Sequence, residues 1–260
     1  MSFDPATFTF TYAYRVTSLP ANTGNVRGIS IDITADLTQA LIIENPVPEY
    51  RDFVLERLDE QGVNILPVET TAPPGWDSVN LTVFGAANWA GTRVDTIQPG
   101  ESLGGFILTS AFVPGIRTVT ITPQISTWNL YPSADDPEEV QAQQDALIKS
   151  LDFVGQTLGP VGVFPGAFAH WNQLRDDLNR MIDELGWVDP TLGATLLFRL
   201  SEARAALDAD DGTTAKAVLQ TLLDTLAQAP AGQLRSEARQ LVQLNAEALI
   251  ARTPTHSFQT

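Results

Sequence analysis

The chain of 260 residues contains no cysteine. Thiolate nucleophiles, disulfides and thiolate zinc sites are therefore excluded. It has two histidines, His170 and His256, too few for a histidine-rich metal centre. Positive charge is also scarce. Fifteen Lys and Arg stand against 31 Asp and Glu, a formal charge of −16. Nucleic acid and anionic membrane surfaces need a basic face, so neither is expected as a partner. No uninterrupted apolar run approaches the ~20 residues of a transmembrane helix, and no membrane insertion is expected. The start, Met1-Ser2-Phe3-Asp4-Pro5, lacks the basic and apolar regions of a signal peptide. The expectation is either a cytosolic chain or a mature exported chain whose signal is missing.

What is present fits a folded protein. Hydrophobic residues make up 43% and charged residues 18%, which excludes global disorder. The acidity is spread: residues 1–133 carry 6 basic and 13 acidic groups, and residues 134–260 carry 9 and 18. It reads as a solvated negative surface rather than an acidic tail. Lys149 and Lys216 are the two lysines, and the Arg and Ala bias points to a GC-rich bacterial genome.

The period of the hydrophobic pattern changes near residue 133. Before it, Phe8–Val16 alternates with Phe8, Phe10, Tyr12, Tyr14 and Val16 on one face. Gly28–Thr34 alternates likewise through Ile29, Ile31 and Ile33. Val79–Phe84, Arg93–Ile97, Gly105–Thr109 and Arg117–Ile121 are further strands, and Asp52–Gln61 reads equally as strand or helix. Turn signals such as Pro73-Pro74-Gly75 and Gln98-Pro99-Gly100 separate them. The pattern predicts an antiparallel β-sandwich over residues 1–132.

After it, the stripes are helical. Asp136-Pro137 resembles a cap and first turn, followed by Leu147, Leu151, Val154 and Leu158. Leu174, Leu178, Met181, Ile182 and Leu185 form the next stripe. Asp189-Pro190 opens another, through Leu192, Leu196, Leu200, Ala203 and Leu207. Two more run through Val218–Leu226 and Leu234–Leu249. Short connections predict an antiparallel helical bundle over residues 133–260, able to fold alone. The fold class is thus α+β, a sandwich followed by a bundle.

One resemblance lies in each half. Leu192, Leu196-Leu197, Leu200, Ala203, Ala206-Leu207, an acidic turn, Ala215-Lys216-Ala217-Val218-Leu219, Leu222-Leu223, Ser236-Glu237-Ala238, Leu241 and Ala248-Leu249-Ile250 carry the first. On these, residues 173–252 resemble the FIMAH domain, a helical module near the C-termini of exported bacterial proteins. Arg235 stands where that family often has a Thr cap. The resemblance implies an extracellular setting and an accessory role. Tyr12-Ala13-Tyr14-Arg15-Val16, Pro74-Gly75-Trp76 and Ile97–Phe106 make the first half similar to a β-sandwich region of secreted bacterial proteins of unknown function.

Chemistry-bearing groups each have a plainer reading. Asp208-Ala209-Asp210-Asp211-Gly212 departs from a calcium loop, since Gly212 takes the fifth position and Leu219 the twelfth. It reads as a turn followed by a Thr213 cap. His170 sits among Phe164, Phe168 and Trp171 without a nucleophile elbow, and packing at the junction of the halves is the expected role. His256 lies in a polar tail. The pairs Asp135/Asp136, Glu138/Glu139 and Asp176/Asp177 are adjacent in sequence and point about 100° apart on a helix, so they are placed on polar faces. Gly104-Gly105 lacks the context of a phosphate loop. Trp76, Trp89 and Trp128, with Asn80, Asn88 and Arg93, are candidates for a carbohydrate platform, against the alternative that the indoles plug the sandwich.

Trp76, Trp89, Asn88 and Arg93 are therefore the candidate ligand-binding residues, with no catalytic residue, metal or cofactor expected. The expected function is a non-enzymatic, secreted or cell-surface binding or scaffolding protein whose partner is a protein or glycan. The alternatives are a structural subunit of a surface filament, coat or virion, and a glycan-active hydrolase. A homo-oligomer built through the strand Phe8–Val16 would mark the structural subunit.

Overall fold

Alternation of apolar and polar residues builds the first strands, and turn chemistry sets their ends. In the computed structural model, described here for residues 1–35, 65–81, 85–92, 94–124 and 137–254, nine strands and five helices are seen. The strands are β1 (Ser2–Asp4), β2 (Thr9–Thr17), β3 (Val26–Asp32), β4 (Glu69–Thr71), β5 (Trp76–Leu81), β6 (Ala86–Gly91), β7 (Ser102–Ser110), β8 (Pro114–Pro123) and β9 (Phe153–Pro160). The helices are α1 (Glu138–Ser150), α2 (Phe168–Asp183), α3 (Pro190–Asp208), α4 (Gly212–Gln228) and α5 (Ser236–Arg252). Strands dominate the N-terminal part and helices the C-terminal part, in an α+β mix. None of the helices among the described residues is long and apolar enough to cross a membrane.

Two antiparallel sheets face one another, in the orders β1-β2-β7-β4 and β5-β6-β3-β8-β9. Phe10 and Tyr12 of β2 and Phe106 and Leu108 of β7 meet Ile29 and Ile31 of β3 and Trp89 of β6 in one core. Two turns follow directly from glycine. Trp76 N–H donates to Pro73 O at 3.1 Å across Pro74-Gly75, with Gly75 at φ 81°, the signature of a type II turn. Gly105, at φ 94°, is skipped in the β2–β7 register, where Tyr14 faces Phe106 and Arg15 faces Gly104. It makes a β-bulge, which is the role of the Gly104-Gly105 pair.

The stripes from Leu174 to Leu249 pack together as a second core, with Leu178, Leu196, Leu200, Leu219, Leu222 and Leu241 buried. Asp189 caps α3, accepting from the N–H groups of Thr191 (2.9 Å) and Leu192 (3.3 Å), with Pro190 in the first turn. At the next turn the cap is Asp211, which accepts from Thr214 N–H at 2.9 Å, and not Thr213. Helix α5 starts at Arg235 without a side-chain cap, matching the missing Thr; Arg235 N–H donates instead to Trp187 O.

Several readings change. The stripe Leu147–Leu158 is not one helix: α1 ends at Ser150, and Phe153–Pro160 is the strand β9, paired along β8 from Ile121/Phe153 to Pro114/Pro160. Gly155, Gly159 and Pro160 disfavour a helix interior, while β8 supplies the ladder. The sheet thus extends past residue 133. Of the strand expected at Arg93–Ile97, Ile97 makes only an isolated bridge to Val26, and Arg93 lies outside the described residues. Strand β6 lies between the expected strands Val79–Phe84 and Arg93–Ile97, where the sequence showed none. Asp52–Gln61, Trp128, Asp135, Asp136 and His256 also lie outside the described residues. Strand β2 pairs along its length with β7 on one side, while on the other side β1 covers only Thr9–Thr11.

Candidate functional site

The two halves meet over β8 and β9. Ile116 and Leu158 belong to the bundle core, whereas Leu244 and Ala248 of α5 belong to the sandwich core. Within this apolar seam lies a line of polar side chains. His170 and Asp177 sit two turns apart on one face of α2, on the stripe that also carries Leu174 and Met181. Asn245 occupies the matching stripe of α5, between Leu241 and Leu249.

His170 is fully buried. The backbone N–H of Gly166 donates to its Nδ1 at 3.0 Å, so Nδ1 is the acceptor and Nε2 carries the proton. Nε2 in turn donates to Asn245 Oδ1 at 2.7 Å. The Asn245 amide donates to Pro114 O (3.0 Å) on β8 and to Leu241 O (2.8 Å). Burial lowers the His170 pKa to about 4, with the Asn245 bond opposing. Both ring nitrogens are engaged and neither reaches solvent. This histidine fastens α2 and α5 to the sheet rather than moving protons for a substrate.

Asp177 is 4% exposed and faces β8. Its Oδ2 has no partner and lies 3.3 Å from the position a Cβ on Gly115 would take. Burial pushes its pKa up to about 6, although Gln173, Arg180 and the Ile116 N–H pull the other way. Placing Asp177 on a polar face beside Asp176 is therefore corrected: Asp176 is exposed and paired with Arg175, while Asp177 is inside. The signal was available, because Asp177 is three residues after Leu174 and four before Met181. Arg117 of β8 is held nearby, donating to Pro160 O and lying 3.7 Å from Asp32.

The sequence-predicted platform is not assembled. Trp76 and Trp89 are 6% and 1% exposed, with both indoles in the core against Phe106 at 5.0 and 6.1 Å. The Trp89 indole N–H donates to Thr71 O at 2.8 Å. Neither ring offers a face to an outside ligand, because the β5–β6 pair turns both indoles inward against β7. Asn88 is on the opposite side of β6, where its amide donates to Ala86 O. Asn80 pairs in register with Ala87.

An open cleft of about 250 Å³ lies elsewhere, between α2 and α3. Trp171, Leu197 and Leu200 make its floor; Asn172, Ser201, Arg175 and Arg204 line its walls. The Arg204 guanidinium lies 4.3 Å from the Phe168 ring centre and pairs with Asp208 at 2.7 Å. Phe168 itself is exposed. The cleft suits an apolar group with polar edges rather than a reacting centre. No signal in the sequence separated its floor from the rest of the stripe, since Trp171, Leu197 and Leu200 repeat at ordinary helical spacing. Among the described residues, no group of three or more His, Asp or Glu is gathered as a metal site.

No family model, curated protein or solved structure matches this chain.

Proposed function

We propose that this chain is a non-enzymatic binding or scaffolding protein of the cell surface, as the FIMAH resemblance of residues 173–252 implies. The observation that carries the reading is the use made of the polar groups at the seam. His170 and Asn245 join helix to sheet with every ring nitrogen and both amide hydrogens engaged. Such a seam holds two layers in a fixed relation, which suits a rigid carrier of binding surfaces. The α2–α3 cleft is the place assigned to the partner, a protein or glycan, because it combines an apolar floor with stacked guanidinium and aromatic groups.

The test is a photo-cross-linking amino acid at Ser201, inside the cleft, and another at Thr221, exposed on α4. In cells that make the protein, a discrete adduct at position 201 and none at 221 is expected. Equal labelling at both positions, or none at either, would refute the cleft as the binding place.

A further inference from the structure

The α2–α3 cleft holds hydrogen-bond donors in surplus. Arg204 is fixed in place. Its Nε donates to Asp208 Oδ2 at 3.2 Å, its Nη2 lies 2.7 Å from Oδ1, and its guanidinium carbon lies 4.3 Å from the Phe168 ring centre. Arg175 is held in a similar way, with Nε and Nη2 both donating to Asp176 Oδ1 at 3.0 and 2.9 Å. In both arginines the Nη1 group has no acceptor among the described residues. A guanidinium restrained by its own carboxylate is pre-organised, so its remaining N–H groups bind at little entropic cost. The acceptors of the cleft are largely spent. Both Asp208 oxygens take N–H groups from Arg204, and the Ser201 hydroxyl is turned to Phe198 O at 2.7 Å.

Charge and hydrogen bonding together select the ligand. Arg175 is neutralised by Asp176 and Arg204 by Asp208, so the charges at the cleft cancel in pairs. An anion would meet arginines already neutralised on a chain of formal charge −16. A cation would meet two guanidinium groups whose carboxylates are taken. A sugar is neutral, but each of its hydroxyls brings a hydrogen that needs an acceptor. Trp171 of the floor is 4% exposed, so its ring has no open face for a sugar to lie on. A main-chain carbonyl is neutral and accepts only, which is what the free Nη1 groups require. The floor of Trp171, Leu197 and Leu200 takes an apolar side chain. The volume, about 250 Å³, is below the ~300–1,000 Å³ of sites for drug-sized ligands, so it suits one large side chain with its flanking amides.

We propose that the α2–α3 cleft takes a single large apolar side chain of a protein partner, with the arginines donating to the carbonyls on either side of it. The proposal rests on the reading of this cleft as the partner's place, and it selects a peptide over a glycan. One anchor of this size gives an isolated peptide millimolar affinity, so tight binding by a whole partner needs further contacts around the cleft.

The experiment is a titration of the ¹⁵N-labelled full chain, followed by NMR, with the capped peptide acetyl-Gly-Leu-Gly-amide up to about 20 mM, a range that brackets a millimolar Kd. Saturable shifts of the Trp171 indole N–H and of the Ser201 and Arg204 amides are expected. The same peptide with Ala, Glu or Lys in place of Leu should bind at least about fivefold more weakly, from the lost apolar contact. Maltose should leave these signals unmoved. Ser201→Phe, which fills the cleft, should abolish the response, and Thr221→Phe, exposed on α4, should preserve it. Equal binding of the Glu or Lys peptide, shifts spread away from the cleft, or an undiminished response in Ser201→Phe would each overturn the proposal. Maltose binding at these residues in place of the peptide would overturn it and leave the cleft as the binding place. No shift with any probe would also overturn it, and the cross-link at position 201 then judges the cleft by itself. The peptide series uses the parent chain and does not depend on either variant folding.

Discussion

His170 Nε2 lies 2.7 Å from Asn245 Oδ1, and the two residues are 75 apart in sequence. Between them they connect the Gly166 loop, α2, α5 and the start of β8 through four hydrogen bonds. Each bond sits in an apolar seam, where a lost partner is not replaced by water.

Asn245→Ala should therefore leave the His170 Nε2–H and the Pro114 carbonyl unpaired. A loss of about 2–4 kcal/mol is expected, from two buried groups at 1–2 kcal/mol each. Urea denaturation of the full chain checks this. Asn245→Asp would add a buried charge and should cost more than the alanine.

Two buried groups at this seam pull stability in opposite directions with pH. The folded-state pKa of His170 is lowered to about 4, so as pH falls from about 6.5 the unfolded chain takes up a proton that the fold refuses, and stability drops. Asp177 is raised to about 6, so its contribution is present below about 4 and is lost as pH rises through 6. Each effect amounts to roughly 3 kcal/mol, and between pH 4 and 6 they nearly cancel. Asp177→Asn should uncover the histidine slope, with stability rising from pH 4 to 6.5 relative to the parent chain. His170→Gln should uncover the opposite slope. Paired denaturation curves at half-unit steps of pH read the two difference slopes, and like signs would contradict the assignment.

Gly166 holds φ 83°, and a Cβ there would collide with the Cβ of Arg252. Arg252 in turn lies over the Phe8 ring, tying the end of α5 to the β1–β2 turn. Gly166→Ala should cost at least about 1–2 kcal/mol through the left-handed backbone alone. It should also shift the His170 bond from Gly166 N–H, seen as a changed imidazole chemical shift.

Leu200 is both core and cleft floor. Leu200→Asp should place an unpaired carboxylate there, costing several kcal/mol. A large fall in the far-UV melting temperature is expected, whereas Ser201→Asp on the cleft wall should be nearly neutral for folding.

Much of the architecture was written in local pattern. The alternations of β2 and β3 and the stripes of α2 to α5 are set by residues a few positions apart, because strand and helix periods belong to the backbone itself. Asp189-Pro190 fixed the start of α3 for the same reason. The tertiary structure decided the rest. Phe153–Pro160 has apolar spacing that fits either state, and it is a strand because β8 offers a ladder there. Trp76 and Trp89 face inward because the partner sheet stands over them. His170, Asp177 and Asn245 were visible as polar residues on apolar stripes, but not what they touch. A buried polar group is defined by its partner, and those partners come from distant parts of the chain.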